Sequence, residues 1–170
     1  FMSRAFFDKN INDNNYHDLS NPNKINAYRS FLLKMWKSFN KNKNFKCVLS
    51  GNFGYFEERE LAYILENSNV PFIVIHKECF KTKARLNEYE ELYRSNKGPF
   101  WGSLIMVYNK VEKDLIIRTG ITDKSKVKVV GMPRLDKLIC QNKNFKIKKK
   151  FKKVITLISF HKDLNTSDSI

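Results

Sequence analysis

The chain is poor in the residues that metal sites and covalent cross-links require. Its 170 residues hold three histidines and three cysteines, Cys47, Cys79 and Cys140. The cysteines are odd in number, far apart and without CxxC spacing, which argues against a disulfide framework or a zinc ribbon. The histidines are dispersed as well, so no metal site is expected; a reduced, cytoplasmic compartment and chemistry without a cofactor are expected too. Long apolar runs are also lacking. Nothing approaches the roughly 18 consecutive apolar residues that would span a bilayer, and the opening FMSRAFFDKN turns polar too soon for a secretion signal.

Acidic residues are scarce: 17 Asp and Glu face 32 Lys and Arg, a net charge of +15. The excess is unevenly placed. Eight lysines and no acid lie between Lys137 and Lys153. A solvated linker is the first reading of that run, and a basic face drawn to anionic lipid headgroups is the second. Sequence-specific nucleic-acid binding comes last, because Phe145 and Phe151 are the only base-stacking aromatics among these lysines.

What the chain does have is alternation of two periods. From Asn23 the positions Ile25, Tyr28, Phe31, Leu32, Met35, Trp36 and Phe39 recur at helical spacing, with Pro22 before them. Phe45 to Ser50 reads as a strand running into Gly51. Helix Glu57–Asn67 then leads to strand Phe72–Ile75, whose unbroken apolar run predicts cover on both faces. Helix Lys83–Ser95 leads to strand Leu104–Tyr108, and helix Val111–Thr119, closed by Gly120, leads to strand Val127–Val130. Strands with a helix in each gap predict an α/β fold, a Rossmann-like three-layer domain with a mostly parallel sheet and helices on both faces. Residues 1–22 show no clear period beyond Phe6 and Phe7 and read as a loop or the remains of an earlier element. At Gly131 the strand stops, and Pro133 pre-sets a rigid corner before a short apolar segment.

That corner divides the chain into residues 1–136, one domain; 137–153, a basic linker; and 154–170, in which Val154–Ile158 opens a second Rossmann-like domain with its own sheet. The sequence begins with Phe1 and stops twelve residues after Ile158, as expected of part of a longer protein.

Open parallel sheets bind ligands outside the carboxyl ends of their strands, which directs attention to the residues just after each strand. The turn Ser50-Gly51-Asn52-Phe53-Gly54 offers close backbone approach and a following helix N-terminus. Its glycine spacing fails the GxGxxG dinucleotide fingerprint, and Glu57, Glu58 and Glu60 place negative charge where a phosphate would sit. The turn therefore reads either as a plain tight turn or as a ligand contact. His76-Lys77-Glu78 is the most suggestive triplet: an imidazole at a strand's end, with both charge signs beside it. The competing reading is a partly buried histidine bonded to a loop carbonyl. Loop KGPFWG, residues 97–102, exposes two aromatics or packs them in the core.

The order GNFGYFEERELAYILENSNVPFIVIHKE, GPFWGSLIMVYN, GITDKSKVKVVGMPRLD, then a basic linker and VITLISF, resembles bacterial surface-carbohydrate and capsule biosynthesis proteins of the two-domain GT-B type. These are related in layout to CDP-glycerol glycerophosphotransferases and UDP-N-acetylglucosamine 2-epimerases. The most specific part is the corner Gly131, Pro133, Arg134, Asp136. The resemblance implies transfer of a sugar or polyol phosphate from a nucleotide-activated donor to a carbohydrate or lipid-linked acceptor, or else a nucleotide-sugar 2-epimerase; from a different class, the alternatives are a non-catalytic binding or assembly module and a basic nucleic-acid binder. His76 is then the candidate base. Gly51, Asn52, Lys77, Glu78 and Arg134 are substrate or phosphate contacts, and Ser159 and His161 begin the donor-side loop of the second domain. Peripheral contact with an anionic membrane at its inner face, and no specific nucleic acid, complete the expectation.

Overall fold

A computed structural model describes residues 2–19, 21–77, 81, 83–95 and 98–142. The chain divides into two compact units, Phe1–Arg134 and Leu135–Ile170. Residues 143–170, with the expected strand Val154–Ile158, lie outside the described part.

The first unit is α/β. Four strands, β1 (Val48–Ser50), β2 (Phe72–Ile75), β3 (Leu104–Val107) and β4 (Val127–Val129), form one all-parallel sheet in the order β1-β2-β3-β4. Helices flank it, as expected of a Rossmann-like three-layer domain: α1 (Tyr16–Leu19) and α2 (Pro22–Asn40) precede the sheet, and α3 (Phe56–Glu66), α4 (Leu86–Ser95) and α5 (Lys110–Arg118) are the crossovers. None of the helices among the described residues is long and apolar enough to cross a membrane.

Local chemistry sets these boundaries. Helix α2 starts at Pro22, which loses no hydrogen bond at the first helical position, and Asn21 accepts from the Asn23 amide. Asn109 caps α5 by accepting from the Glu112 amide, and Gly120, at φ +76°, lets the chain leave that helix. Strand β1 starts three residues later than its sequence suggests. The side chain of Asn40 accepts from the Phe45 amide and donates to the Phe45 carbonyl, so Phe45 belongs to a loop.

One face of the sheet is the core. Phe72, Val74, Ile105, Val107 and Val127 are buried against Ala62, Leu65 and Ile116 of the helices. Burial on this scale stabilises by about 1.5–3 kcal/mol for each large side chain. Side chains pointing the other way are less covered: Ile73, Leu104 and Met106 are half-buried, Leu49 is exposed and Ile75 is 37% exposed. The run Phe72–Ile75 thus alternates instead of being covered on both faces.

Residues 2–19 form structure of their own rather than a plain loop. Phe7, Ile11 and Tyr16 are buried with Tyr28 and Phe56 in a second core, where Tyr16 stacks on Phe56 at 4.6 Å. Arg4 donates to the carbonyls of Asp8, Lys9 and Ile11, and Asp13 accepts from the Phe56 amide at the start of α3.

The corner after β4 is present: Gly131 has φ +79° and Pro133 opens α6 (Pro133–Asn142). The segment expected as the beginning of the linker, residues 137–142, is therefore helical.

Candidate functional site at the carboxyl edge of the sheet

The backbone itself gathers the strand ends. The His76 amide donates to Met106 O of β3 at 2.9 Å, and the Lys77 amide donates to Gly51 O, just past β1, at 3.2 Å. Residues following β1, β2 and β3 consequently share one edge. His76, Lys77, Gly51 and Asn52 all lie at this edge. Arg134 lies in the first turn of α6, while Glu78, Ser159 and His161 lie outside the described residues.

His76 is buried, with 4% of its surface exposed, and its ring packs on Phe53 at 4.7 Å. Its Nε2 lies 3.2 Å from Glu112 Oε1 and 3.3 Å from the Tyr93 hydroxyl. Tyr93 in turn donates to Glu112 Oε1 at 2.6 Å. With a carboxylate facing it, Nε2 is the nitrogen that carries a proton. Lys81 Nζ stands 3.6 Å from Glu112 Oε2 and lies over the rings of Tyr89 and Tyr93. Three side chains thus converge on one fully buried carboxylate.

Burial alone would push the Glu112 pKa up. The hydrogen bonds from His76 and Tyr93, with the positive charge of Lys81, outweigh it and hold the carboxyl below its ordinary value. The position also helps, because Glu112 sits in the first turn of α5, at the positive end of the helix dipole. The spacing Asn109-x-x-Glu112 is that of a capping box, in which the glutamate would fold back on the cap. Here it turns inward to the histidine instead.

The neighbouring turn is organised differently from a phosphate cradle. Asn52 Oδ1 accepts from the amides of Phe53 and Gly54 at 2.7 and 2.8 Å, so the turn's own side chain occupies the place an anion would take. At the start of α3 the Phe56 amide is likewise given to Asp13. Gly51 has a different use: a Cβ there would lie 3.6 Å from Lys77 Cδ, so the lysine stem passes close over it.

Beside this turn, Ser50 donates to Glu58 Oε1 at 2.6 Å, while Glu58 Oε2 is buried without a hydrogen-bond partner. Burial raises the Glu58 pKa, and the Ser50 hydrogen bond and the charge of Lys77 offset it only in part. The edge therefore carries two carboxyls of opposite tendency, Glu112 held ionised and Glu58 biased towards its neutral form. Among the described residues no group of His, Cys, Asp or Glu is arranged to hold a metal ion.

Sequence reading found His76 but not its partners. Tyr93 and Glu112 appear as an ordinary apolar-face tyrosine and an ordinary first-turn acid. Only the capping-box spacing at Asn109 could have drawn attention to Glu112.

Compared with known proteins, the chain matches no protein-family model, no curated protein and no solved structure.

Proposed function

We propose that the chain is part of an enzyme of cell-surface polysaccharide synthesis that transfers a sugar or a polyol phosphate from a nucleotide-activated donor to a carbohydrate or lipid-linked acceptor. The observation that supports this reading is the His76–Glu112 pair, flanked by Tyr93, Lys81 and Lys77, at the carboxyl edge of an open parallel sheet. Such an edge is where α/β sheets of this kind receive ligands. In this reading His76, oriented by Glu112 through Nε2, takes the proton of the acceptor hydroxyl on Nδ1 as the acceptor oxygen attacks the donor. The bond to the nucleotide's phosphate breaks, and Lys77 and Arg134 counter the negative charge that leaves. A cytoplasmic place, with the basic run 137–153 against anionic lipid, belongs to the same proposal.

The test is turnover with CDP-glycerol or UDP-N-acetylglucosamine and a lipid-linked acceptor, followed by nucleotide release. His76→Asn is expected to lower kcat about 100-fold with KM little changed. An unchanged rate in this variant would sink the assignment of the base. Isomerisation of the donor without nucleotide release would instead identify a 2-epimerase.

A second reading, a binding module without chemistry of its own, is favoured by one observation. His76 is buried and its Nε2 is committed to Glu112, as a histidine that fixes architecture would be. Saturable donor binding without turnover would select it.

A further inference from the structure

Between Asp18 and Glu57 the sequence contains no acidic residue, and within that stretch Lys34, Lys37, Lys41, Lys43 and Lys46 are all exposed. They are interleaved in sequence with apolar side chains that a folded domain would ordinarily cover. Met35 is 46% exposed, Phe39 60% and Phe45 44%. The helix dipole accounts for lysines at the end of α2, but neither for Lys43 and Lys46 beyond it nor for the exposed rings.

The arrangement is built. Phe39 and Phe45 stack with centroids 5.5 Å apart and planes 16° apart, and Trp36 leans on Phe39 at 6.2 Å. Asn40, in gripping both the amide and the carbonyl of Phe45, brings the second ring back onto the first. Its carbonyl also accepts from the amides of Lys43 and Asn44, which closes the turn with Asn44 at φ +53°. The loop thus leaves two stacked aromatic rings exposed within a stretch, residues 34–46, whose charged residues are all lysines. Among the described residues none of these five lysines takes part in an ion pair.

We propose that the end of α2 and the loop 41–46 form a docking surface for an anionic lipid bilayer, with Phe39 and Phe45 entering the headgroup region and the lysines meeting lipid phosphates. Charge complementarity selects this occupant: apolar side chains flanked by lysines and free of acids are what an anionic interface binds, by apolar burial together with counter-charge. A nucleic acid would match the charge but would have no use for Met35 beside paired rings. The surface lies on α2, away from the carboxyl edge, and the inference does not depend on the transfer reading. It is also distinct from the lysines of residues 137–153.

Co-sedimentation of the full chain with vesicles of phosphatidylcholine containing 30% phosphatidylglycerol, in about 0.1 M salt, provides the test. Binding is expected there and not to pure phosphatidylcholine. Phe39→Ser with Phe45→Ser should weaken it at least about tenfold at unchanged net charge. Neutralising Lys37, Lys41 and Lys43 to Gln should weaken it by about fivefold for each lysine. Because all these side chains are exposed, thermal melts should remain near those of the parent. A comparison variant with Lys148, Lys149 and Lys150 changed to Gln should retain sensitivity to loss of the two rings. The proposal is overturned if the parent chain ignores anionic vesicles, or if the ring variant binds as the parent does. It is equally overturned if single-stranded oligonucleotide is captured in preference to lipid, or if the rings serve only to pair two copies of the chain in sedimentation equilibrium.

Discussion

Glu112 Oε1 lies 3.2 Å from His76 Nε2, although the two residues belong to successive units of the sheet and neither side chain has appreciable contact with water. The pair fastens the end of β2 to the first turn of α5. Glu112→Ala leaves His76, Tyr93 and Lys81 around an empty, uncompensated site, and should lower the unfolding free energy by roughly 3–5 kcal/mol. Glu112→Gln should lower it less, because the amide oxygen still accepts from Tyr93. Urea denaturation measures both. Burial also changes what is expected of His76: removing the ring should reduce stability as well as turnover, so the two must be read separately.

Acid titration should separate the two carboxyls of the edge. Glu112 has a folded pKa below its unfolded value, roughly 4.3. Its stabilisation is therefore present above that value and is lost as pH falls through the lower, folded one. Glu58 has a raised folded pKa, so its favourable contribution exists below the unfolded value and disappears as pH rises through the folded one. Glu58→Gln, which can still accept from Ser50, should raise the melting temperature at pH 7 and leave it nearly unchanged near pH 3.5. A drop at both pH values would mean that Oε2 makes a contact the native fold needs.

Gly98 should tolerate no side chain. Its φ is +130°, and a Cβ would meet the His17 ring, with Nε2 only 2.1 Å away. That ring cannot easily give way, since Arg59 is bonded to His17 Nε2 at 3.1 Å and to Gly54 O at 2.7 Å. Gly98→Ala should destabilise by roughly 2–4 kcal/mol, combining backbone strain with displacement of the His17–Arg59 contact. A melting temperature within a degree of the parent would contradict this packing.

The pair joining α2 to α3 should respond asymmetrically. Glu60 is buried and receives two hydrogen bonds from Arg29, whose guanidinium lies 3.7 Å above the Tyr63 ring and is partly in water. Arg29→Ala strands a buried carboxylate and should lower stability by roughly 3–5 kcal/mol. Glu60→Gln leaves an arginine that can stay on Tyr63 and reach solvent, and should be milder. Reversal of that order in paired melts would show that Glu60 finds its counter-charge elsewhere, with Arg59, whose charge it already feels, a candidate.

The sheet was legible because its pattern is local. Phe72–Ile75 is read to the residue, and the remaining strands and the long helices agree with their sequence periods within a few positions. Phe45 was placed in a strand because its apolar character is visible and the grip of Asn40 on its backbone is not. The first twenty residues hid their order for a related reason. Phe7, Ile11 and Tyr16 have no mutual period, and acquire one environment only when Tyr28 and Phe56 arrive from other elements. At the site, His76 could be found from its place after an apolar strand. Its partners Tyr93 and Glu112 come from helices 17 and 36 residues further along the chain, and only the crossovers bring them back.

The sheet's order carries a consequence for how the chain assembles. Val48 pairs with Phe72, Ile73 with Leu104, and Ile105 with Val127, so every strand adds beside the one made just before it. Among the described strands none has to be held in reserve for a later neighbour, as happens where a parallel sheet winds out from its middle. Loop closure is needed over one crossover at a time, which lowers the entropic barrier that slows parallel sheets in general. During synthesis each strand can settle on an already formed edge as it leaves the ribosome, and the growing edge always belongs to the newest strand.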